Sequence, residues 1–193
     1  MAVSPMSDAE VAPTPAAPTP DAVCAPLSGE QAVPAPRPDA FRVDVLSDTH
    51  GYLPPAAFRA CEGADLIVHA GDICGEEVLE RLELQAPVIA VLGNNDWPGM
   101  YGRELHATER FERRGVTFKV THIPSRLGAL DVRIAICGHT HVPSVSSVGA
   151  CTVVNPGSVS RPRSSSGPTM ARIMLRDDFV ESIRIVRLDE LGD

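Results

Sequence analysis

The chain has 193 residues and a formal net charge of −8, and about half of that charge lies in residues 1–39, where five acids oppose only Arg37. The remainder is mildly acidic and carries no basic footprint of the kind a nucleic acid needs. No run is apolar and long enough to span a membrane, and the N-terminus lacks the basic start and apolar stretch of a signal peptide, so a soluble, cytoplasmic protein is expected.

Nine of the 18 prolines fall in residues 1–39, in runs such as Val11-Ala12-Pro13-Thr14-Pro15. A segment without apolar periodicity cannot bury enough surface to offset its ordering entropy. Residues 1–39 are therefore expected to be a disordered Pro/Ala-rich tail, and 40–193 a single domain. Within it, 41–47 alternates and then turns apolar, predicting a first strand. Residues 54–61 predict a short helix with prolines in its first turn, 64–70 a buried strand, and 76–84 an amphipathic helix. Residues 87–92 are apolar throughout, as suits a parallel strand covered on both faces. The order then changes. A hairpin is expected over 111–121 with Gly115 in its turn, then buried strands at 132–137 and 150–154. A last hairpin over 169–188 turns at Asp177-Asp178. Strands outnumber helices in this second half, so two packed sheets flanked by helices fit better than one wound sheet.

Seven potential metal ligands fall in five short pieces, each where a predicted strand ends: Asp48 and His50, Asp72, Asn94, His122, and His139 with His141. They include four of the six histidines; His69 and His106 are assigned no metal role. Asp48 and His50, two apart, would project to the same side of an extended backbone, as would His139 and His141. Asp72 and Asn94 each follow a glycine, which permits a sharp turn and close approach. Parallel α/β sheets place sites at the carboxyl edge of their strands, so the pieces are expected to converge. Oxygen and imidazole donors without thiolate favour Mn, Fe, Zn or Ni, Mn being the first expectation. Seven side chains exceed the need of one ion; if one carboxylate bridges, they divide into two four-ligand sets. The five cysteines form no CxxC pair and read as reduced thiols.

The order Asp-x-His, Gly-Asp, Gly-Asn-x-Asp, His, Gly-His-x-His, followed by Asn155-Pro156-Gly157-Ser158, resembles the calcineurin-like metallophosphoesterase superfamily over residues 41–188, and its small bacterial and archaeal phosphodiesterases most closely. The resemblance implies an α/β fold: a four-layer αββα sandwich of two mixed β-sheets flanked by helices. It implies one divalent ion on Asp48, His50, Asp72 and His141, a second on Asp72, Asn94, His122 and His139, and hydrolysis of a small phosphodiester by a metal-bridging hydroxide. Asn95 stands where many larger relatives have a histidine thought to protonate the leaving oxygen. An amide donates a hydrogen bond but no proton at neutral pH, so esters with good leaving groups are expected, and Asp96 is the first alternative acid. The segment after His122 is short and interrupted by proline, so no full helix is expected there. Arg161 is a candidate for binding substrate phosphate, and Trp97 and Tyr101 are candidates for a pocket wall or the core. The rival reading is a non-catalytic protein-binding scaffold of the same fold, such as the eukaryotic retromer subunit; oligomeric state is left open, a homo-oligomer included.

Overall fold

The computed structural model describes residues 39–191, so the expected tail lies, but for Asp39, outside the described residues. Strands β1 (Ala40–Leu46), β2 (Leu66–His69) and β3 (Val88–Ala90) are joined by helices α1 (Pro55–Ala60) and α2 (Glu76–Glu83). The chain then builds a second sheet from β4 (Thr108–Arg113), β5 (Val116–Thr121), β6 (Ile134–Ile136), β7 (Ser144–Val148) and β8 (Cys151–Asn155). It returns to the first sheet with β9 (Thr169–Arg176) and β10 (Phe179–Arg187). The strand orders are β10-β9-β1-β2-β3 and β4-β5-β6-β8-β7. Both sheets are mixed: β1–β2, β2–β3, β5–β6 and β6–β8 pair parallel, and β1–β9, β9–β10, β4–β5 and β7–β8 pair antiparallel.

The period of two in β1 decides which layer each residue enters. Val43 and Val45 face the second sheet and pack with Phe118, Val120, Ile134 and Ile136. Leu46 faces the other way, into the layer of Leu53, Ala57, Leu79 and Leu82 under the two helices. Outside the second sheet, Ala135, Cys137 and Cys151 are covered by Leu127 and Val132. These stand on a coil segment and a 3-10 turn, Pro124–Arg126; the architecture is the αββα sandwich, with one outer layer reduced to that turn. Proline at the start of the segment and Gly128 soon after it leave no room for a longer helix.

Two differences from the sequence expectation bear on the sheet edges. The third strand is only three residues long, because beyond it Val91 pairs with His106 in an isolated bridge. Strand β7 carries no apolar alternation and was not foreseen; all five of its residues are exposed.

Candidate metal centre

The loops after β1, β2, β3, β5 and β6 meet at one edge between the sheets, but not in extended backbone. Asp48 (φ 55°), His50 (47°), Asp72 (54°), Cys74 (60°), His139 (69°) and His141 (60°) all lie in the left-handed region. They are six of the eight non-glycine residues with positive φ among the described residues. The expectation that i, i+2 pairs share a face through extended chain is thus corrected: the pairs converge because both members turn left-handed. Each such residue costs on the order of 1–3 kcal/mol, and clusters of them mark sites whose surroundings enforce the geometry. Here the loops hold one another, with the amides of Asp48, His50 and Gly51 donating to the carbonyls of Gly71, Asp72 and Ile73 at 3.0, 2.9 and 2.7 Å. Packing is tight enough to require glycine: a Cβ on Gly93 would fall 2.1 Å from Asp72 Oδ1, and one on Gly138 2.0 Å from Ser47 Oγ.

Six of the seven candidate side chains crowd around two buried carboxylates or stand against a neighbour that does. Asp48 Oδ1 lies 3.0 Å from His141 Nε2 and 3.9 Å from the Nε2 atoms of both His50 and His122. Asp72 turns one oxygen each way, Oδ2 at 3.8 Å from His50 and Oδ1 at 3.4 Å from His122. His50 and His141 approach Nε2 to Nε2 at 3.3 Å. His139 packs edge-on against His122, ring centroids 5.3 Å apart, and its Nδ1 lies 2.7 Å from the Oδ1 of Asn94, the seventh. Two ligand groups with donor atoms within 4.8 Å of one another result, Asp48/His50/His141 and Asp48/Asp72/His122.

The hydrogen bonds behind these rings orient them. His141 Nδ1 donates to the Arg161 carbonyl at 2.6 Å, and His122 Nδ1 to the Ala70 carbonyl at 2.7 Å. A carbonyl only accepts, so each neutral ring presents its Nε2 lone pair to the carboxylates. Asp48 Oδ1 and His122 Nε2 are consequently buried without a hydrogen-bond partner. Acceptors aimed at one another in a dry site repel unless a cation sits among them; the donor set fits a divalent ion. Burial lowers the His122 pKa, but the close carboxylates of Asp72 and Asp48 raise it more, and the net shift is upward. Burial alone would raise Asp72, yet the close His122 ring and the hydrogen bonds from Asn95 outweigh it and hold the carboxyl below its ordinary range. His50 is lowered by burial, against the opposing fields of Asp72 and Asp48.

Asn95 serves Asp72 twice, its amide donating to Oδ1 at 2.8 Å and its side chain to Oδ2 at 2.6 Å. Asp96 is spent on structure: its oxygens accept from the amides of Ile73, Cys74 and Gly93 and from the Tyr101 hydroxyl at 2.6 Å. That hydroxyl bond places Tyr101 in the core, whereas Trp97 is 61% exposed. Arg161 is exposed and makes no side-chain hydrogen bond or ion pair among the described residues, and its charge is felt at His50 and Cys74. His69 is buried and bonds Thr49 Oγ1 at 3.0 Å, bracing the first loop, and His106 is a surface residue near Glu109. Sequence reasoning missed the serines that pin this loop. Ser47 Oγ donates to Asp48 Oδ2 at 2.7 Å, and Ser158 and Ser160 donate to the Asp48 carbonyl at 2.8 and 3.0 Å. The Asn155-Pro156-Gly157-Ser158 run was the available signal: Asn155 Nδ2 bonds the Gly138 carbonyl at 2.8 Å and ties the last loop down.

Residues 41–178 match the calcineurin-like phosphoesterase superfamily domain. The chain belongs to that superfamily. A probable metallophosphoesterase of Methanothermobacter thermautotrophicus is 36% identical over 140 residues, 63% of this chain and 78% of that protein. Among solved structures, an archaeal phosphodiesterase aligns with TM-score 0.61 at 24% identity, covering 76% of this chain and 99% of that one. Vps29 of Entamoeba histolytica, complexed with zinc, aligns with TM-score 0.59 at 23% identity over 76% and 98%. At these identities the two structures establish the fold that this superfamily member shares. Among the described residues, no helix of this superfamily member is long and apolar enough to cross a membrane.

Proposed function

We propose that this chain is a dinuclear metal-dependent phosphodiesterase, with residues 40–193 as its catalytic domain. The observation that carries the reading is the pair of orphaned acceptors, Asp48 Oδ1 and His122 Nε2, enclosed by two carboxylates and histidines whose lone pairs point inward. Asp48, His50, Asp72 and His141 would hold one ion, and Asp72, Asn94, His122 and His139 the other. Asp72 suits the bridge because its two oxygens face opposite halves of the cluster, toward His50 and toward His122. When bound, such ions supply Lewis acidity toward phosphoryl oxygen and a water acidic enough to lose its proton near neutral pH. The chain does the rest. Asn95 fixes the bridging carboxylate, the Arg161 and Ala70 carbonyls fix the imidazole tautomers, and the exposed Arg161 guanidinium is free to meet the phosphate. Asn95 can supply no proton and Asp96 is saturated by donors, so the leaving oxygen must depart without a strong acid from either residue. The substrate class is therefore a small phosphodiester with a stable leaving group.

The test is hydrolysis of bis-(p-nitrophenyl) phosphate after chelation and addition of Mn²⁺, Zn²⁺, Ni²⁺ or Fe²⁺, Mn²⁺ being expected to serve best. Wild type should be active only with metal, Asp72→Asn should lose on the order of 10³-fold, and rates across an aryl-ester series should rise steeply with leaving-group acidity. Equal rates for the two proteins, or metal-independent activity, would refute the proposal; a flat series would refute only the missing acid. Metal binding alone decides nothing, since a scaffold of this fold could retain an ion.

A further inference from the structure

Among the described residues, Tyr52, Pro54, Val159, Pro168 and Leu188 wall an open groove of about 420 Å³. It lies at the edge where the ligand loops meet. Thr169, at the start of β9, pairs with Arg187 at the end of β10, and Ala171 pairs with Val45 near the end of β1. The ends of β1 and β10 therefore reach the same edge of the first sheet. The groove also shares a wall with the candidate metal centre. Ser160, which lines it, has its Oγ 3.0 and 2.9 Å from the carbonyls of Asp48 and Thr49. The next residue is Arg161, whose carbonyl holds His141. The amide of Tyr52 donates to the same Thr49 carbonyl at 3.0 Å. Tyr52 stands two residues beyond His50, so their Cα atoms are at most about 7 Å apart.

We propose that this groove binds an uncharged aromatic ester group of the substrate, with Tyr52 stacking on its ring as a specificity-determining residue. The inference rests on the phosphodiesterase reading and names the substrate class within it. A phosphodiester carries one negative charge and two ester groups. The ions and the Arg161 guanidinium would hold the charge, which leaves an ester group to meet the protein beside them. The groove offers that group an apolar wall. Asp189 is the one charged residue lining it, and Arg187 neutralises that carboxylate at 3.0 Å, so no cation is left there for a second phosphate. The Tyr52 ring is 58% exposed. An aromatic face left open beside apolar neighbours gains from stacking on another ring as well as from the area it buries. Small-molecule sites are commonly clefts of about 300–1,000 Å³ that combine a mostly apolar lining with a few polar groups. The groove and the ion site together have that composition.

The test is calorimetry of the full-length, metal-loaded chain with diphenyl phosphate and dimethyl phosphate, which share the charged centre and differ in the rings. Wild type should prefer the diphenyl ester. Tyr52→Ala removes the stacking ring, and Ala56→Phe fills the groove from α1, where Ala56 lines it. Each should reduce the preference by about 10-fold with unchanged far-UV spectra and unchanged metal affinity. A wild type without preference overturns the proposal, as does a preference that survives both substitutions. So does an equal loss for both esters, which would mean that the substitutions disturb the ions and not a ring. Hydrolysis of bis-(p-nitrophenyl) phosphate is measured beside binding. A wild type that shows the preference, loses it in the variants and yet hydrolyses nothing would defeat the catalytic reading and leave the groove's ligand class standing.

Discussion

Two aspartates four residues apart on the same segment, Asp44 in β1 and Asp48 just beyond it, are both fully buried, yet the fold treats them in opposite ways. Asp44 is neutralised by the chain itself. Arg42 donates to it from Nε and Nη2 at 3.1 and 2.5 Å, and Arg172 does so at 2.9 and 3.3 Å. Both guanidiniums also cap the Ala60 carbonyl at the end of α1. Asp48 receives a serine hydroxyl and one amide on Oδ2, and nothing on Oδ1. Burying a carboxylate is costly unless a cation accompanies it. Where the chain supplies guanidinium the charge is structural; where it supplies only imidazole lone pairs, the site suits a cation from outside, as proposed above.

The contrast can be broken most severely at Asp48. Asp48→Asn is expected to cost on the order of 10³-fold in Mn²⁺-dependent hydrolysis while leaving the metal-free protein as stable as wild type or more so, by calorimetry, because it removes an uncompensated charge. A metal-free protein clearly destabilised by that change would end the comparison. Asp44→Asn should do the reverse, costing about 3–5 kcal/mol in urea unfolding by stranding two guanidiniums, with activity per folded molecule kept.

His69 sharpens the same rule for a base. Burial pushes its pKa down to about 4, from an ordinary value of 6.5. With the folded value below the unfolded one, the ring is neutral in the fold. Its penalty is absent above pH 6.5 and grows as pH falls toward 4, reaching about 3 kcal/mol. His69→Gln should flatten the acid limb of a stability–pH profile over that window; an unchanged limb would place the acid sensitivity elsewhere. The smallest effect is at Asn95. Asn95→Ala removes the side-chain hydrogen bond to Asp72 Oδ2 and keeps the backbone one to Oδ1, and should weaken metal affinity or turnover by about 10-fold, read by metal titration beside kinetics, with stability little altered.

Much of this was legible in the sequence because it is written in periodicity and residue type. Val43, Val45 and Leu46 announce a strand covered on both sides, and the hairpin at Gly115 follows from its turn. The ligand pieces stand out because aspartate, asparagine and histidine rarely recur at successive strand ends. Strand β7 was invisible, since serine and valine at an exposed edge produce no hydrophobic contrast. The role of Asp96 was equally hidden, because a carboxylate bonded to backbone amides looks in sequence like any acid near a motif.

By itself, then, the sequence determined which residues could bind a cation and that parallel strands would carry them to one edge, because residue chemistry and side-chain period are local properties. The tertiary structure alone decided how they face one another. Left-handed backbone at Asp48, His50, Asp72, His139 and His141 is imposed by loops that interlock between segments far apart in the chain. The tautomers of His122 and His141 are set by the Ala70 and Arg161 carbonyls. Whether a buried aspartate meets an arginine or a ring of lone pairs depends on which distant strand lies beside it, and no local pattern records that.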